Sequence, residues 1–110
     1  MGSIMTSSAV DNLNRLGITI PDAPAPAANY VPYIIVGNMV YVSGQLPLVN
    51  GKLSVTGHVG KDVTTEQAAE QARQCAINLL AQLNSACGGD LGRVKQVVKL
   101  GGFVACADNF

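Results

Sequence analysis

The sequence predicts an α+β fold, with a mixed or antiparallel sheet and a long helix packed on one face. Two β-branched and aromatic runs, Tyr30–Val36 and Met39–Ser43, predict neighbouring strands joined by the turn dipeptide Gly37-Asn38. A long amphipathic run, Thr65–Cys87, predicts the helix, and Val94–Cys106 predicts a last strand. Strands, then a helix, then a strand on 110 residues suit one α+β domain.

The start of the chain predicts a short helix and an extended lead-in. Ser7–Leu16 contains a capping-box pair, Ser8 and Asp11, and Gly17 ends the helix. A helix this short is marginal alone, so we expect it to dock on the fold. Residues 21–28, rich in proline and alanine, form an extended segment. We therefore divide the chain into residues 1–28, the helix and lead-in, and residues 29–110, the main domain.

The main helix has clear end signals. Thr64 and Gln67 predict a capping box, and Gly88-Gly89 predicts the end. Spacings of three and four residues predict the apolar stripe that faces the sheet: Ala68, Ala72, Cys75, Ala76, Leu79, Leu83 and Cys87. Polar residues are predicted to occupy the opposite, solvent-facing side: Glu70, Arg73, Gln74, Asn78 and Gln82.

Turn residues organise the connections. Asn50-Gly51 predicts a hairpin-like loop after the second strand, with a short strand near Leu53–Val55. Asp90-Leu91-Gly92 predicts a turn before the last strand. Within that strand, Gly101-Gly102 indicates a bulge or a close approach to a neighbouring backbone.

A candidate site lies where the second strand ends. Ser43 and Gln45 place hydrogen-bonding side chains on either side of Gly44, and Pro47 cannot continue a ladder. A glycine here lets a ligand come within hydrogen-bond reach of the backbone amide, or it simply forms a bulge. The residue pattern alone leaves both interpretations open.

The bulk composition excludes several functional classes. Seven basic and seven acidic residues cancel, only 13% of residues are charged, and 48% are hydrophobic. This balance argues against electrostatic capture of nucleic acid or of an anionic membrane surface. No apolar run reaches the length of a membrane span, and the N-terminus lacks the pattern of a signal peptide. We expect a cytoplasmic protein with no nucleic-acid or membrane partner.

The cysteines and the single histidine do not predict a metal site. Cys75 and Cys87 lie on one predicted helix, about 18 Å apart at a rise of 1.5 Å per residue, too far for a disulfide. Cys106 stands alone on the last strand, and His58 is the only histidine. We therefore expect neither a metal nor another cofactor on this chain.

The two strands of the hairpin predict assembly. Both are apolar on both faces, yet one long helix can cover only one face of their sheet. A symmetric oligomer would cover the other face. The expected partner is therefore a second copy of the chain.

The chain resembles a known family. Tyr41–Pro47, read as Tyr-Val-Ser-Gly-Gln-Leu-Pro, followed by Asn50-Gly51, is similar to the strand and turn of the RidA proteins, also called YjgF or endoribonuclease L-PSP proteins. The similarity continues through the helix segment Gln67–Cys87, Gly88-Gly89 and the run Val94–Lys99. It covers roughly residues 30–110 and is specific as a combination.

This resemblance implies a chorismate-mutase-like fold, a homotrimer with sites between subunits, and a hydrolytic activity. Family members hydrolyse reactive imines or enamines, such as 2-aminoacrylate, to a 2-keto acid and ammonia. An arginine holds the substrate carboxylate and an acidic residue positions water. The substrate-binding positions of the family fall here on Tyr33, Ser43 and Gly44.

The chain also departs from the family pattern. Family chains continue beyond the point matching residues 108–110 into a second helix and further strands, which carry the arginine, the glutamate and an asparagine of the site. Arg15, Arg73 and Arg93 stand elsewhere, so no catalytic residue is assigned and the domain at 29–110 is expected to be incomplete. The alternative function is a non-catalytic protein of the same trimeric fold that binds a small molecule or a partner.

Overall fold

The computed structural model describes residues 8–25 and 29–110. In chain order the elements are α1 (Ser8–Leu16), β1 (Tyr33–Val36), β2 (Met39–Val42), α2 (Thr65–Ala86) and a 3₁₀ turn, Leu91–Arg93. The strands form a two-stranded antiparallel sheet, and α2 packs against both of them. This arrangement confirms the predicted α+β class. Ser7 and residues 26–28, which belong to the predicted helix and lead-in, lie outside the described residues.

The hairpin has the predicted turn. Tyr33 pairs with Val42 and Val36 with Met39, so Gly37-Asn38 forms a two-residue loop. Gly37 has a φ of +60°, which a type II′ turn requires at its first central position. β1 begins at Tyr33, later than predicted, because the preceding Pro32 has no N–H to donate to the ladder.

Helix α2 begins and ends at the predicted signals. The Thr64 Oγ1 accepts a hydrogen bond from the Gln67 amide (3.1 Å), and the Gln67 Oε1 accepts one from the Thr64 amide (2.8 Å). At the other end the Gly89 amide donates to the Asn84 carbonyl (2.8 Å), with Gly88 and Gly89 at positive φ. The capping box and the glycine termination are both confirmed.

The buried face of α2 differs from the predicted one. Ala72 and Ala76 are exposed, whereas Asn78 and Gln82, predicted to face solvent, are each only 1% exposed. Ile77, which was not assigned to the stripe, is also buried. The prediction was wrong at these positions because it placed the carboxamides on the solvent side, whereas Cys87, at the end of the predicted stripe, is buried as expected.

Asn78 and Gln82 are buried because they bond extended chain segments that have no ladder of their own. The Asn78 Nδ2 donates to the Leu46 and Leu48 carbonyls (2.9 and 3.0 Å), and the Gln82 Nε2 donates to the Pro24 carbonyl (2.8 Å). Buried carbonyl groups require donors, and irregular segments obtain them from side chains. The remaining buried core is apolar: Val59, Val63, Ile77, Ala81, Cys87 and Leu91.

The predicted strand Val94–Cys106 does not form. Its backbone has no ladder in the described chain and makes only one isolated bridge, between Val59 and Cys106. Val97 and Leu100 are largely exposed, and Phe103 is fully exposed. The apolar pattern suits a strand, but a strand also needs a hydrogen-bonded neighbour, which the described residues do not offer. The short strand expected at Leu53–Val55 is also absent from the structure.

The chain exposes a large surface, which includes apolar side chains of the hairpin. It exposes 7968 Å², against about 5,800 Å² for a folded monomer of this mass. On the hairpin, Ile34, Ile35, Val36 and Tyr41 are all more than half exposed. Among the described residues, no helix combines the length and the apolar character needed to cross a lipid bilayer.

The loop before α2 is closed by Asp62. The carbonyl of His58 accepts hydrogen bonds from the amides of Lys61, Asp62 and Val63, and the carboxylate of Asp62 accepts one from the amide of His58. That last bond favours the charged carboxylate, so the pKa of Asp62 lies below its usual value. The loop leads directly to the capping box of α2.

A matched pair of substitutions tests the carboxamide face of α2. The Gln71 Oε1 is buried without a partner in the described residues, whereas the Gln82 Nε2 is bonded. Gln82→Met should lower the free energy of unfolding by about 1–3 kcal/mol, because it leaves the Pro24 carbonyl without its donor. Gln71→Met should be neutral or stabilising by up to about 1 kcal/mol. Equal losses in denaturant unfolding would contradict the assignment.

The bond to Asp62 predicts a pH effect. A carboxyl whose pKa is lowered in the folded state stabilises that state above the unfolded pKa, and this contribution disappears as the pH falls through the folded pKa. An NMR titration of the Asp62 carboxyl carbon should have its midpoint below 3.8, the ordinary value. Asp62→Asn should reduce the fall in the free energy of unfolding at acid pH. A titration midpoint at or above 3.8 would contradict the hydrogen bond from the His58 amide to the Asp62 carboxylate.

Candidate functional site

A shallow groove beside the hairpin brings two of the predicted site residues together. It has a volume of about 160 Å³ and is lined by Val31, Tyr33, Ile34, Tyr41, Val42 and Ser43. Tyr33 and Ser43 both line this groove, and Gly44 follows Ser43 in the chain. Tyr33 opposes Val42 in the register, so Ser43 lies close to Tyr33 with its side chain on the opposite face of the hairpin.

The hydroxyl of Tyr33 reaches α2. It lies 3.3 Å from the Ser85 Oγ, and either group can donate. Tyr33 is half-buried, and this contact links the hairpin to the helix. Sequence reasoning missed Ser85, because nothing in its neighbourhood marks it as a tyrosine partner.

Ser43 is held in place by two bonds to the chain ahead of β1. Its Oγ donates to the Val31 carbonyl (2.7 Å), and its amide donates to the Pro32 carbonyl (2.9 Å). Because the hydroxyl proton is used, the Oγ can offer only its lone pairs to a ligand. Ser43 is thus a positioned acceptor.

Gly44 has a fixed carbonyl and an open amide. Its carbonyl accepts hydrogen bonds from the Tyr30 hydroxyl (3.4 Å) and from the Gln45 Nε2 (3.3 Å). Its N–H has no acceptor in the described residues. β2 ends at Val42, so Gly44 lies outside the ladder and is not a bulge in it.

No steric reason within the described chain requires glycine at position 44. The φ of Gly44 is outside the left-handed region, and a Cβ placed there would meet nothing within 4 Å. The open space and the free N–H occur at the same residue. This combination favours the interpretation that a ligand or a neighbouring subunit approaches the backbone here.

Carboxamides fix the chain on both sides of Gly44. The Gln45 Nε2 also donates to the Ser43 carbonyl (3.1 Å). Farther along, Asn78 bonds the carbonyls at 46 and 48, and the Asn78 Oδ1 in turn accepts from the Gln74 Nε2 (3.1 Å). The backbone at the groove is therefore held by side chains from both the loop and α2.

The groove supplies no charge from the described residues. Arg15 bonds the Asn12 Oδ1, Arg93 bonds the Cys87 carbonyl, and Arg73 lies exposed on α2. Burial raises the pKa of the Cys75 thiol, so this cysteine is not an activated thiolate. All three cysteines are unbridged, and the described ranges 8–25 and 29–110 hold no cluster of metal-ligating side chains.

Comparison with known proteins identifies the family. Residues 11–109 match the model of a family described as "YjgF/chorismate mutase-like, putative endoribonuclease". The chain is 42% identical over its full length to Protein TCP17 of Trypanosoma cruzi, of which it covers 68%. It is 39% identical over 76% of its length to the RutC family protein y4sK of Sinorhizobium fredii, of which it covers 60%.

Solved structures agree with this match. The fold is similar to Atu1372 of Agrobacterium tumefaciens, a protein described as having unknown function, with a TM-score of 0.80 and 50% identity over 91% of this chain and 60% of that one. It is also similar to a protein of Shewanella oneidensis described as a "putative endoribonuclease", with a TM-score of 0.72 and 39% identity over 79% of this chain and 57% of that one. In these four comparisons the chain spans 57–68% of the length of the protein it matches. The protein therefore belongs to the RidA/YjgF family.

Proposed function

We propose that the protein hydrolyses reactive imines or enamines of small 2-amino acids, such as 2-aminoacrylate, to a 2-keto acid and ammonia. The observation that carries this proposal is the open N–H of Gly44 directly after Ser43, which lines the groove. Family membership supports it. A neutral groove with a few fixed polar groups suits a small substrate that reacts readily with water.

The reaction requires little machinery. The enamine tautomer takes a proton on carbon and becomes the imine; a water oxygen then bonds to the imine carbon, and a proton moves to nitrogen. In the resulting carbinolamine the hydroxyl proton moves to nitrogen, the C–O bond becomes the carbonyl of the 2-keto acid as the C–N bond breaks, and ammonia leaves with the electron pair of that bond. Because the substrate is already reactive, orientation of the imine and the water accounts for most of the expected acceleration.

Each residue of the groove has a role in this scheme. The Gly44 N–H donates to a carboxylate oxygen of the substrate, which is a charge-assisted bond. The Ser43 Oγ accepts from the substrate nitrogen or from the attacking water. The Tyr33 hydroxyl contacts the Ser85 Oγ and so holds the hairpin, and with it the groove, against α2.

A neighbouring subunit completes the site in this proposal. The substrate carboxylate needs a cation, and the described residues that line the groove include none. The exposed apolar side chains of the hairpin supply a surface that a second copy would cover. We propose a homotrimer in which the arginine expected from the family faces Ser43 and Gly44 across the boundary.

One observation favours a second candidate function. The groove contains no carboxylate or histidine from the described chain to act as a general base. A non-catalytic protein of the same fold, binding a 2-keto acid without turnover, would also use the Gly44 N–H and the Ser43 Oγ. The two candidate functions differ in whether the bound molecule is turned over, and both use the same kind of ligand.

A pair of glycine substitutions tests the role of Gly44. Gly44→Ala places a methyl group where the ligand approaches and should lower keto-acid release from enzymatically generated 2-aminoacrylate by about tenfold or more. Stability should stay within about 0.5 kcal/mol, because the added Cβ meets nothing. Gly101→Ala is the matched control, since Gly101 also has open space and an unconstrained φ and does not line the groove.

The possible outcomes separate the two candidate functions. Turnover that falls only in Gly44→Ala supports the deaminase. No turnover in the wild type, with pyruvate binding abolished by Gly44→Ala, supports the binding protein instead. Equal activity of the wild type and both variants would remove Gly44 from the site.

The assembly proposal makes a separate prediction. Sedimentation of the wild-type protein at micromolar concentration should give the mass of three chains, because apolar side chains exposed on the hairpin are covered in a trimer. Ile34→Glu, a charge on the exposed face of β1, should shift the protein toward the monomer. A stable wild-type monomer would refute the proposal.

A further inference from the structure

A second concave region lies away from the groove, between the lead-in and α2. This cleft has a volume of about 300 Å³. Its lining consists of the lead-in residues Pro21, Asp22 and Pro24, the turn residues Leu48, Val49, Asn50 and Gly51, and Gln74 and Asn78 of α2. It shares no residue with the groove at Tyr33 and Ser43.

Both walls of the cleft are fixed by bonds already present. The Gln82 Nε2 holds the lead-in through the Pro24 carbonyl (2.8 Å), and Asn78 holds the opposite wall through the Leu48 carbonyl (3.0 Å). The turn at Asn50 is closed by paired bonds between Val49 and Lys52 (2.9 and 3.1 Å). The cleft is therefore preformed, so a ligand does not have to order its walls.

The polar side chains of the cleft supply one negative charge and several acceptors. Asp22 is the only charged side chain in its lining, is exposed, and has no hydrogen bond or ion pair with the described residues. Gln74 donates through its Nε2 to Asn78, so its Oε1 remains as an acceptor without a partner there. The Asn50 carboxamide on the opposite wall adds a further acceptor oxygen and an NH₂ group that can donate.

We propose that this cleft binds a small organic cation that carries a primary ammonium group. An ammonium has three donors and no acceptor, which matches the Asp22 carboxylate and the two carboxamide oxygens. No basic side chain lines the cleft to repel it. The apolar parts of Pro21, Pro24 and Leu48 contact the carbon chain of the ligand. The volume admits a ligand of a few heavy atoms.

NMR titration of the full chain with n-butylammonium tests the proposal, with 1-butanol as the neutral probe of similar shape. Concentrations run to about 20 mM, because so small a ligand is expected to bind in the millimolar range. The backbone amides of Asn50, Gly51 and Gln74 should shift with n-butylammonium and stay unchanged with 1-butanol. The apparent affinity should fall as salt is added, because Asp22 is exposed.

Two variants locate the binding. Asp22→Asn should weaken n-butylammonium binding about two- to fivefold, within the range for one exposed charge pair. Asp108→Asn, which removes a carboxylate outside the cleft, should leave it unchanged. Equal shifts with 1-butanol, equal affinity in Asp22→Asn, or no shift of the cleft amides would each overturn the proposal. None of these readouts depends on deaminase activity, so this test is independent of the proposed function.

Discussion

The buried carboxamide of Asn78 is the interaction on which the rest of the structure depends. It is 1% exposed, bonds two carbonyls of the loop after β2, and is itself held by Gln74. Without it, the carbonyls of Leu46 and Leu48 would lose their donor, at a cost of about 0.5–1.5 kcal/mol for each hydrogen bond. This one side chain fixes the loop that leaves Gly44 and also forms the floor of the cleft at Asp22. The groove and the cleft therefore share one support.

Sequence signals that depend on neighbouring residues predicted the helix ends and the hairpin correctly. Predictions that depend on contacts between distant segments were wrong. The capping box at Thr64 and the glycine turn at Gly37 depend on neighbours within a few residues, so the sequence contains them complete. Whether Val94–Cys106 joins a ladder depends on a distant partner, which periodicity cannot supply. The prediction of the buried face of α2 was wrong for a related reason. A row of carboxamides at 74, 78 and 82, four residues apart, faces extended segments whose carbonyls need donors. This row of carboxamides was the feature of the sequence from which the buried face of α2 could have been predicted.

The candidate site was predicted in part. Tyr33, Ser43 and Gly44 come from the family motif, and the strand register explains why the first two share a groove. Neither Tyr30, which bonds the Gly44 carbonyl, nor Ser85, which meets the Tyr33 hydroxyl, could be identified in advance. Both contacts join segments far apart in the chain, and their geometry exists only after α2 and the hairpin have packed. The cleft at Asp22 was likewise invisible in the sequence, because it lies between two segments that carry no motif.

The central claim is that Gly44 offers an open backbone N–H to a carboxylate-bearing ligand. The most direct measurement follows the Gly44 amide by NMR while pyruvate, a 2-keto acid, is added. We predict that this amide exchanges rapidly with solvent in the free protein, shifts as pyruvate binds, and then becomes protected. An amide that is already protected in the free protein, or that does not respond to saturating pyruvate, would contradict the account.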